Sequence, residues 1–154
     1  MEKFLENLQE AEKIIRQTDH MLYITFPLVK DKRLLIKILL ETKNAIAKLI
    51  NIILRYEYFF KRIRLYSDQK TNFRTFKEKS AREYEITEYE IALISELFKI
   101  AEVCKTSPIE FLKGEKIVIL SEKMAPTIVT FEKTKEFLSV AKSVLKKAKN
   151  VIQR

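Results

Sequence analysis

The chain has 154 residues, of which 47% are hydrophobic and 33% are charged, and its formal net charge at pH 7 is +9. This length predicts one domain, residues 1–154, whose core needs no disulfide or metal, and the hydrophobic fraction excludes a disordered chain. One glycine and three prolines are too few for the turns of an all-β fold, and a single cysteine excludes an intrachain disulfide or a cysteine-based zinc site.

The first predicted element is an amphipathic helix from about Glu2 to Tyr23. The residues of its buried stripe recur at alternating steps of four and three, at Phe4, Leu8, Ala11, Ile15, Thr18 and Leu22. Pro27 cannot donate a backbone hydrogen bond and disfavours a helical residue before it, so the helix is expected to end or kink there. Residues 27–32 are predicted to be a connector, with Asp31 as the N-cap of the next helix.

The second predicted helix runs from Lys32 to about Ile63 and is apolar nearly all round. Its polar residues form one thin stripe: Lys37, Glu41, Asn44, Lys48, Asn51 and Arg55. A helix of this kind is packed on most sides, which predicts either the central helix of a bundle or a helix shared with a second protomer in a homodimer. The stripe itself is either a solvent-exposed strip or the wall of a wet groove or dimer interface.

A turn at residues 67–72 is followed by a predicted helix over about residues 70–83. Thr87 and Glu90 then have the spacing of a capping box, in which each side chain accepts a hydrogen bond from the other residue's backbone amide, and they mark the start of a fourth helix. Cys104 lies on the apolar stripe of that helix, which favours a core position over a reactive thiol.

The stretch "TSPIEFLKG" has the signals of a short helix over about residues 108–113. Ser107 is the predicted N-cap, Pro108 occupies the first helical position, and Glu110 completes a capping box. Gly114, the only glycine, then stands where a left-handed C-terminal cap is needed.

Two β-branched segments follow, "KIVILS" and "TIVTF", which predict a small hairpin packed on the helices. The last predicted helix spans about residues 132–152. The sequence therefore predicts a mainly α fold: a helical bundle of about five helices with a small β-hairpin before the C-terminal helix. Because no signal peptide and no apolar run of membrane-spanning length are found, a cytoplasmic protein without a membrane span is expected.

The positive charge is concentrated in two segments. Residues 55–82 carry a net +6 and residues 133–154 another +6, whereas residues 83–115 carry −5. The first segment mixes its cations with aromatic residues: Tyr56, Tyr58, Phe59, Phe60, Tyr66, Phe73 and Phe76.

Cations neutralise phosphates and exposed rings stack on bases, so this segment predicts binding of RNA or single-stranded DNA. The predicted phosphate contacts are Arg55, Lys61, Arg62, Arg64, Arg74 and Lys77. The alternative is that the rings are core residues and the cations cover a solvated face.

The C-terminal basic segment is predicted to form an amphipathic helix. Its cations are Lys142, Lys146, Lys147 and Lys149. They either bind phosphate or an anionic membrane surface, or pair with the acidic helix at residues 83–102, which is the favoured interpretation. If such pairing is the only role of these helices, the protein is an interaction module with no nucleic-acid ligand.

Arg16 and His20 are four residues apart, so they are neighbours on one helix face. A histidine can act as a general base and an arginine can stabilise a phosphorane-like charge. In "RQTDH" the pair resembles the Arg–spacer–His motif of the HEPN helical bundles, with a shorter spacer and in the first helix instead of a late one. The resemblance implies a dimeric, metal-independent ribonuclease with Arg16 and His20 as catalytic residues. No metal site or cofactor is predicted from the spacing of the His, Asp and Glu residues.

A second resemblance is to a family of archaeal helical-bundle proteins. It lies in "TDHMLYITFPLVKDKRLLIKIL", "RYEYFFKRI", "KSAREYEITEYE" and "KTSPIEFLKGEKIVIL", which are spread over most of the chain. It implies a helical fold and brings no activity with it, so the residues themselves favour a non-enzymatic binding or scaffold protein.

Overall fold

The computed structural model describes residues 1–107, 109–114, 116–121 and 123–153. Over these residues the chain forms five helices and one antiparallel sheet with strand order β1-β2-β3. The helices are α1 (residues 2–29), α2 (Lys32–Phe59), α3 (residues 69–83), α4 (Glu88–Thr106) and α5 (Phe131–Ile152). The strands are β1 (Ile109–Lys113), β2 (Lys116–Leu120) and β3 (Pro126–Thr130). The predicted bundle of about five helices, with a hairpin before the last, is confirmed.

The helix α2 is the central helix of the bundle, as its apolar circumference predicts. It packs against α1, α4 and α5 within the same chain. Its fully buried side chains include Leu35, Ile38, Leu39, Ile46, Leu49 and Ile53. All six residues of the polar stripe are at least partly exposed. The homodimer stays a prediction.

The first helix continues past Pro27 instead of ending before it. It runs as an α-helix over Glu2–His20, widens into a π turn over Met21–Thr25 and closes with a last turn, Phe26–Val29. The Phe26 amide donates to the Met21 carbonyl, five residues back. In a regular α-helix the proline ring would clash with the preceding turn, and the wider π turn provides the space for it, so Pro27 lies within the helix. The connector to the next helix is therefore residues 30–31 instead of the predicted residues 27–32.

The predicted short helix at residues 108–113 is wrong, because residues 109–113 form β1. Pro108 lies outside the described residues. Ser107 Oγ donates to the Leu120 carbonyl at 2.6 Å and so ties the end of α4 to β2, and Glu110 pairs with Ile119 in the sheet. A six-residue helix is too short to be stable by itself, and its caps contribute about 1 kcal/mol each, less than a full strand pairing provides.

Gly114 has the predicted left-handed conformation, with φ of 65°, but for a different reason. It follows β1 and precedes β2, and the register pairs Lys113 with Lys116. Tight hairpin turns need a positive φ, and glycine adopts it without steric cost.

Two of the predicted helix starts have the expected local bonds. Asp31 accepts from the Arg33 amide at 2.8 Å, and Thr87 and Glu90 form the complete capping box. The predicted turn at residues 67–72 places Asp68 as the N-cap of α3, where it accepts from the Lys70 amide at 3.2 Å. None of the helices over the described residues has the length and apolar character that crossing a membrane requires.

Candidate nucleic-acid interface

The helix α2 ends at Phe59, four residues before the predicted end, and the chain then turns back on itself. The Lys61 amide donates to the Tyr58 carbonyl and the Arg62 amide to the Glu57 carbonyl, each at 2.9 Å. Lys61 has a φ of 61°, so this is a Schellman motif with lysine in the left-handed position that glycine usually occupies. It brings residues 61–66, which we call the ridge, alongside the end of α2.

A buried hydrogen-bond network fixes the start of the ridge. Glu57, only 4% exposed, accepts from Arg62 Nε at 2.6 Å and from the Tyr84 hydroxyl at 2.9 Å. The hydrogen bond to Glu57 raises the pKa of Arg62, and burial followed by that same carboxylate raises the pKa of Tyr84 well above its ordinary value. Arg62 is therefore held by Glu57 both through its backbone amide and through its side chain.

The end of the ridge is fixed by α3. The Asn72 side chain accepts from the Tyr66 amide at 2.8 Å and donates to the Tyr66 carbonyl at 2.7 Å, so one amide group satisfies both backbone groups. Thr71 donates to Asp68 at 2.7 Å and secures the first turn of α3 beside it. The ridge is thus bonded at both ends, although it has no regular secondary structure.

A groove with a volume of about 1030 Å³ lies between α1, α2 and the ridge. Its lining residues are Lys3, Phe4, Asn7, Lys48, Asn51, Ile52, Arg55, Tyr58, Phe59, Lys61, Ile63, Arg64 and Leu65. Five of them are cations and none is an aspartate or a glutamate. The volume is at the upper end of the range for small-molecule pockets, which leaves room for a stretch of an extended polyanion.

Most of the groove cations have no carboxylate partner. Lys48 is paired with Glu10 at 2.6 Å, and Arg55 Nε donates to Asn51 at 3.3 Å. The remaining four groove cations form no ion pair with a described residue. They are Lys3, Arg55, Lys61 and Arg64. Glu10 is the one described carboxylate in an ion pair with a groove cation, so positive charge is in excess there and attracts an anionic ligand.

Two aromatic rings of the basic segment line the groove and are accessible. Tyr58 is 56% exposed and Phe59 60% exposed, and Phe59 contacts the Phe4 ring edge-on with centroids 6.0 Å apart. Tyr56 and Phe76, by contrast, are buried in the core. Part of the aromatic set is therefore core, as one interpretation predicted, and for the exposed rings contact with nucleic acid stays a prediction.

The predicted phosphate-contacting residues divide in the same way. Arg55, Lys61 and Arg64 line the groove, whereas Arg74 does not and Lys77 lies over the Phe73 ring at 4.9 Å. Arg62, the sixth, lines a smaller neighbouring hollow and is bonded to Glu57. Contact of any of the six with nucleic acid stays a prediction.

The sequence reasoning did not include Lys3 and Lys48 among the binding residues. Lys48 belongs to the polar stripe of α2, for which a groove wall was one of the two interpretations. Lys3 gave no signal, because only the packing of α1 against α2 brings it to the groove.

The Lys61→Gly variant is expected to stabilise the fold by about 0.5–1 kcal/mol and to lower the affinity of the groove for an anion. Glycine adopts the left-handed conformation of residue 61 without the strain that lysine carries there, and the variant removes one groove cation. Urea unfolding measures the stability. A destabilised variant would contradict the Schellman assignment.

Arg16 and His20 lie side by side on α1, as predicted, and both are exposed. Arg16 forms a 3.7 Å ion pair with Glu12, and its side chain is 75% exposed. Neither residue lines the groove. The geometry thus gives the ribonuclease interpretation no additional support, and it stays a prediction.

Within the part of the chain that the structure describes, no cluster of three His, Cys, Asp or Glu residues is arranged to hold a metal ion.

Three of the four predicted cations of the C-terminal basic helix α5 form ion pairs with carboxylates of other helices in the same chain. Lys147 pairs with Glu90 of the acidic helix, as favoured from the sequence. Lys142 and Lys149 instead pair with Asp19 and Glu12 of α1. The acidic helix therefore accounts for only part of the pairing, since the first helix supplies the remaining partners.

Cys104 is half-buried and packs against the core, as predicted from its helical stripe. Burial, with a smaller contribution from the charge of Glu110, raises the pKa of its thiol from 9.0 to about 11. At pH 8 the thiolate fraction is then roughly 100-fold below that of a thiol at the ordinary value. We expect iodoacetamide to label Cys104 correspondingly slowly in the folded protein and at the normal rate in denaturant. Fast labelling of the folded form would show an accessible, reactive thiol.

No protein-family model, curated protein or solved structure matches this chain.

Proposed function

We propose that the protein binds single-stranded nucleic acid, RNA or DNA, in the groove between α1, α2 and the ridge. The observation that carries the proposal is that one concavity holds two exposed aromatic rings and four cations that form no ion pair with a described residue. Cations that line a groove follow a sugar–phosphate backbone, and exposed rings stack on its bases.

The aromatic rings favour a single strand over a duplex. A duplex presents its phosphates but hides the faces of its bases, so Tyr58 and Phe59 have nothing to stack on unless the bases are unpaired. Lysine and arginine do not read sequence through phosphate contacts, so we expect affinity with little sequence preference.

A titration of a fluorescently labelled oligouridine, followed by anisotropy at several salt concentrations, tests the proposal. If about four phosphates are contacted, the logarithm of the association constant falls with the logarithm of salt with a slope of about −3, because each contact on a single strand contributes about −0.7. The affinity then drops about 50-fold between about 50 and 200 mM salt. The absence of binding at low salt would refute the proposal.

A duplex of the same length is the matched control ligand. We expect it to bind more weakly than the single strand at the same salt concentration, since only its phosphates are available. Equal affinity for the two ligands would contradict the role of Tyr58 and Phe59 and reduce the groove to a general anion surface.

A further inference from the structure

A second, smaller hollow of about 280 Å³ lies on the other side of the ridge, between the ridge and α3, and we call it the side basin. Its lining residues are Lys61, Arg62, Ile63, Arg64, Tyr66, Thr75 and Lys79. Four of the seven are cations, and none is a carboxylate. The side basin is therefore more densely positive than the groove and only about a quarter of its volume.

The side basin combines charge with hydrogen-bond donors. Arg62 uses Nε and Nη2 for its bonds to Glu57, and no described residue accepts a hydrogen bond from its Nη1. Tyr66 adds a half-exposed phenol, and Lys79 forms no ion pair with a described residue. Charge-assisted donors converging on a small volume are what a compact polyanion such as a phosphate group needs.

One cation of the side basin, Arg62, is fixed before any ligand arrives. Arg62 is held on the buried Glu57, which sets the position of its guanidinium group. Thr75 is the last residue of the α-helical part of α3 and Lys79 lies in the π turn Phe76–Ser80 that follows it, and both line the side basin. Because its guanidinium group is already held by Glu57, Arg62 loses little conformational entropy when an anion binds.

The groove and the side basin meet at the ridge. Lys61 and Arg64 line both of them, so the two hollows are connected by these two cations. A nucleic-acid strand that leaves the groove over the ridge therefore enters the side basin. The side basin is too small for several more nucleotides, but it has the size and charge for a terminal phosphate group with two negative charges.

We infer that the side basin binds a phosphate monoester dianion, the terminal phosphate of a strand whose body lies in the groove. This inference rests on the proposed function, because it assigns the place where the strand ends. Arg62 and Lys79 are the two cations that line the side basin and not the groove. Arg62 is bonded to Glu57, whereas Lys79 forms no ion pair with a described residue, so Lys79 is the cation that can be replaced to test contact with the terminal phosphate alone.

Three oligouridines of one length test the inference: one with a 5′-phosphate, one with a 3′-phosphate and one with hydroxyl groups at both ends. We expect one of the two phosphorylated oligomers to bind about tenfold more tightly than the hydroxyl-ended oligomer. The Lys79→Gln variant should lose this gain and bind the hydroxyl-ended oligomer within about twofold of the wild type. Lys70→Gln, which makes the same charge change on α3 outside both hollows, is the matched control and should keep the gain.

The outcomes separate the two proposals. If no oligomer binds, both fail. If the hydroxyl-ended oligomer binds and neither phosphate improves its affinity, or if the gain survives in Lys79→Gln, the side-basin inference is overturned and the groove proposal stands. If inorganic phosphate at constant ionic strength binds as tightly as the phosphorylated oligomer, free phosphate is the ligand and the assignment to a strand end is overturned.

Discussion

Replacement of Arg55 and Arg64 by glutamate is expected to lower the affinity for a single strand by about 100-fold at low salt. Both residues line the groove, one from α2 and one from the ridge, and neither has a carboxylate partner among the described residues. Each replacement removes a phosphate contact and adds a repulsive charge, so the affinity and the salt dependence both decrease. Fluorescence anisotropy at several salt concentrations measures the two quantities together, and the slope should become shallower by about two contacts.

The control for this variant reverses two cations elsewhere. Lys99 on α4 and Lys146 on α5 are exposed, have no ion-pair partner among the described residues and lie outside the groove. Lys99→Glu combined with Lys146→Glu changes the net charge by the same amount, so any general attraction between a basic protein and an anion falls equally in both variants. We expect a less than threefold loss for this control. Equal losses would mean that net charge, and not the groove, determines binding.

Local signals in the sequence predicted most of the helices, because helix periodicity and capping depend on neighbouring residues. Asp31 and Thr87 cap the helices that they were expected to cap. The same kind of signal failed at residues 108–113, where cap-like residues precede a segment that pairs with β2. The partner strand β2 lies just beyond residues 108–113, so the cap-like residues within that segment do not reveal the pairing.

The end of α2 could not be predicted for a different reason. A left-handed residue is usually signalled by glycine or asparagine, and here the position is occupied by Lys61. The apolar and aromatic pattern continues beyond it, so the sequence suggests a longer helix. The Arg62–Glu57 pair forms only when the chain has already turned, so it leaves no local signal in the sequence.

The candidate site shows the same division. Its basic and aromatic composition is visible in one segment, which is why Arg55, Lys61 and Arg64 were included in the prediction. The groove itself is formed by three separate parts of the chain, and Lys3 reaches it only through the packing of α1 on α2. Composition thus identified the character of the surface, whereas tertiary packing determined which residues share it.

Replacement of Glu57 by leucine should destabilise the protein by about 2–4 kcal/mol. The leucine fits an apolar environment, but it leaves the Tyr84 hydroxyl, on a residue only 2% exposed, without its acceptor. Arg62 also loses both of its bonds to the carboxylate, although its half-exposed side chain regains water. Urea unfolding measures the free-energy change, and the slope of the transition shows whether the native state stays compact.

A double-mutant cycle with Tyr84→Phe separates the hydrogen bond from the loss of shape. Phenylalanine removes the buried hydroxyl, so Glu57→Leu should cost at least about 1 kcal/mol less in the Tyr84→Phe background than in the wild type. Strictly additive losses would contradict the network.

The same variants connect the fold to the proposed function. Because Glu57 anchors the ridge through Arg62, Glu57→Leu should weaken oligouridine binding. Tyr84→Phe leaves the Arg62–Glu57 pair in place, so its affinity for oligouridine should stay within about twofold of the wild type.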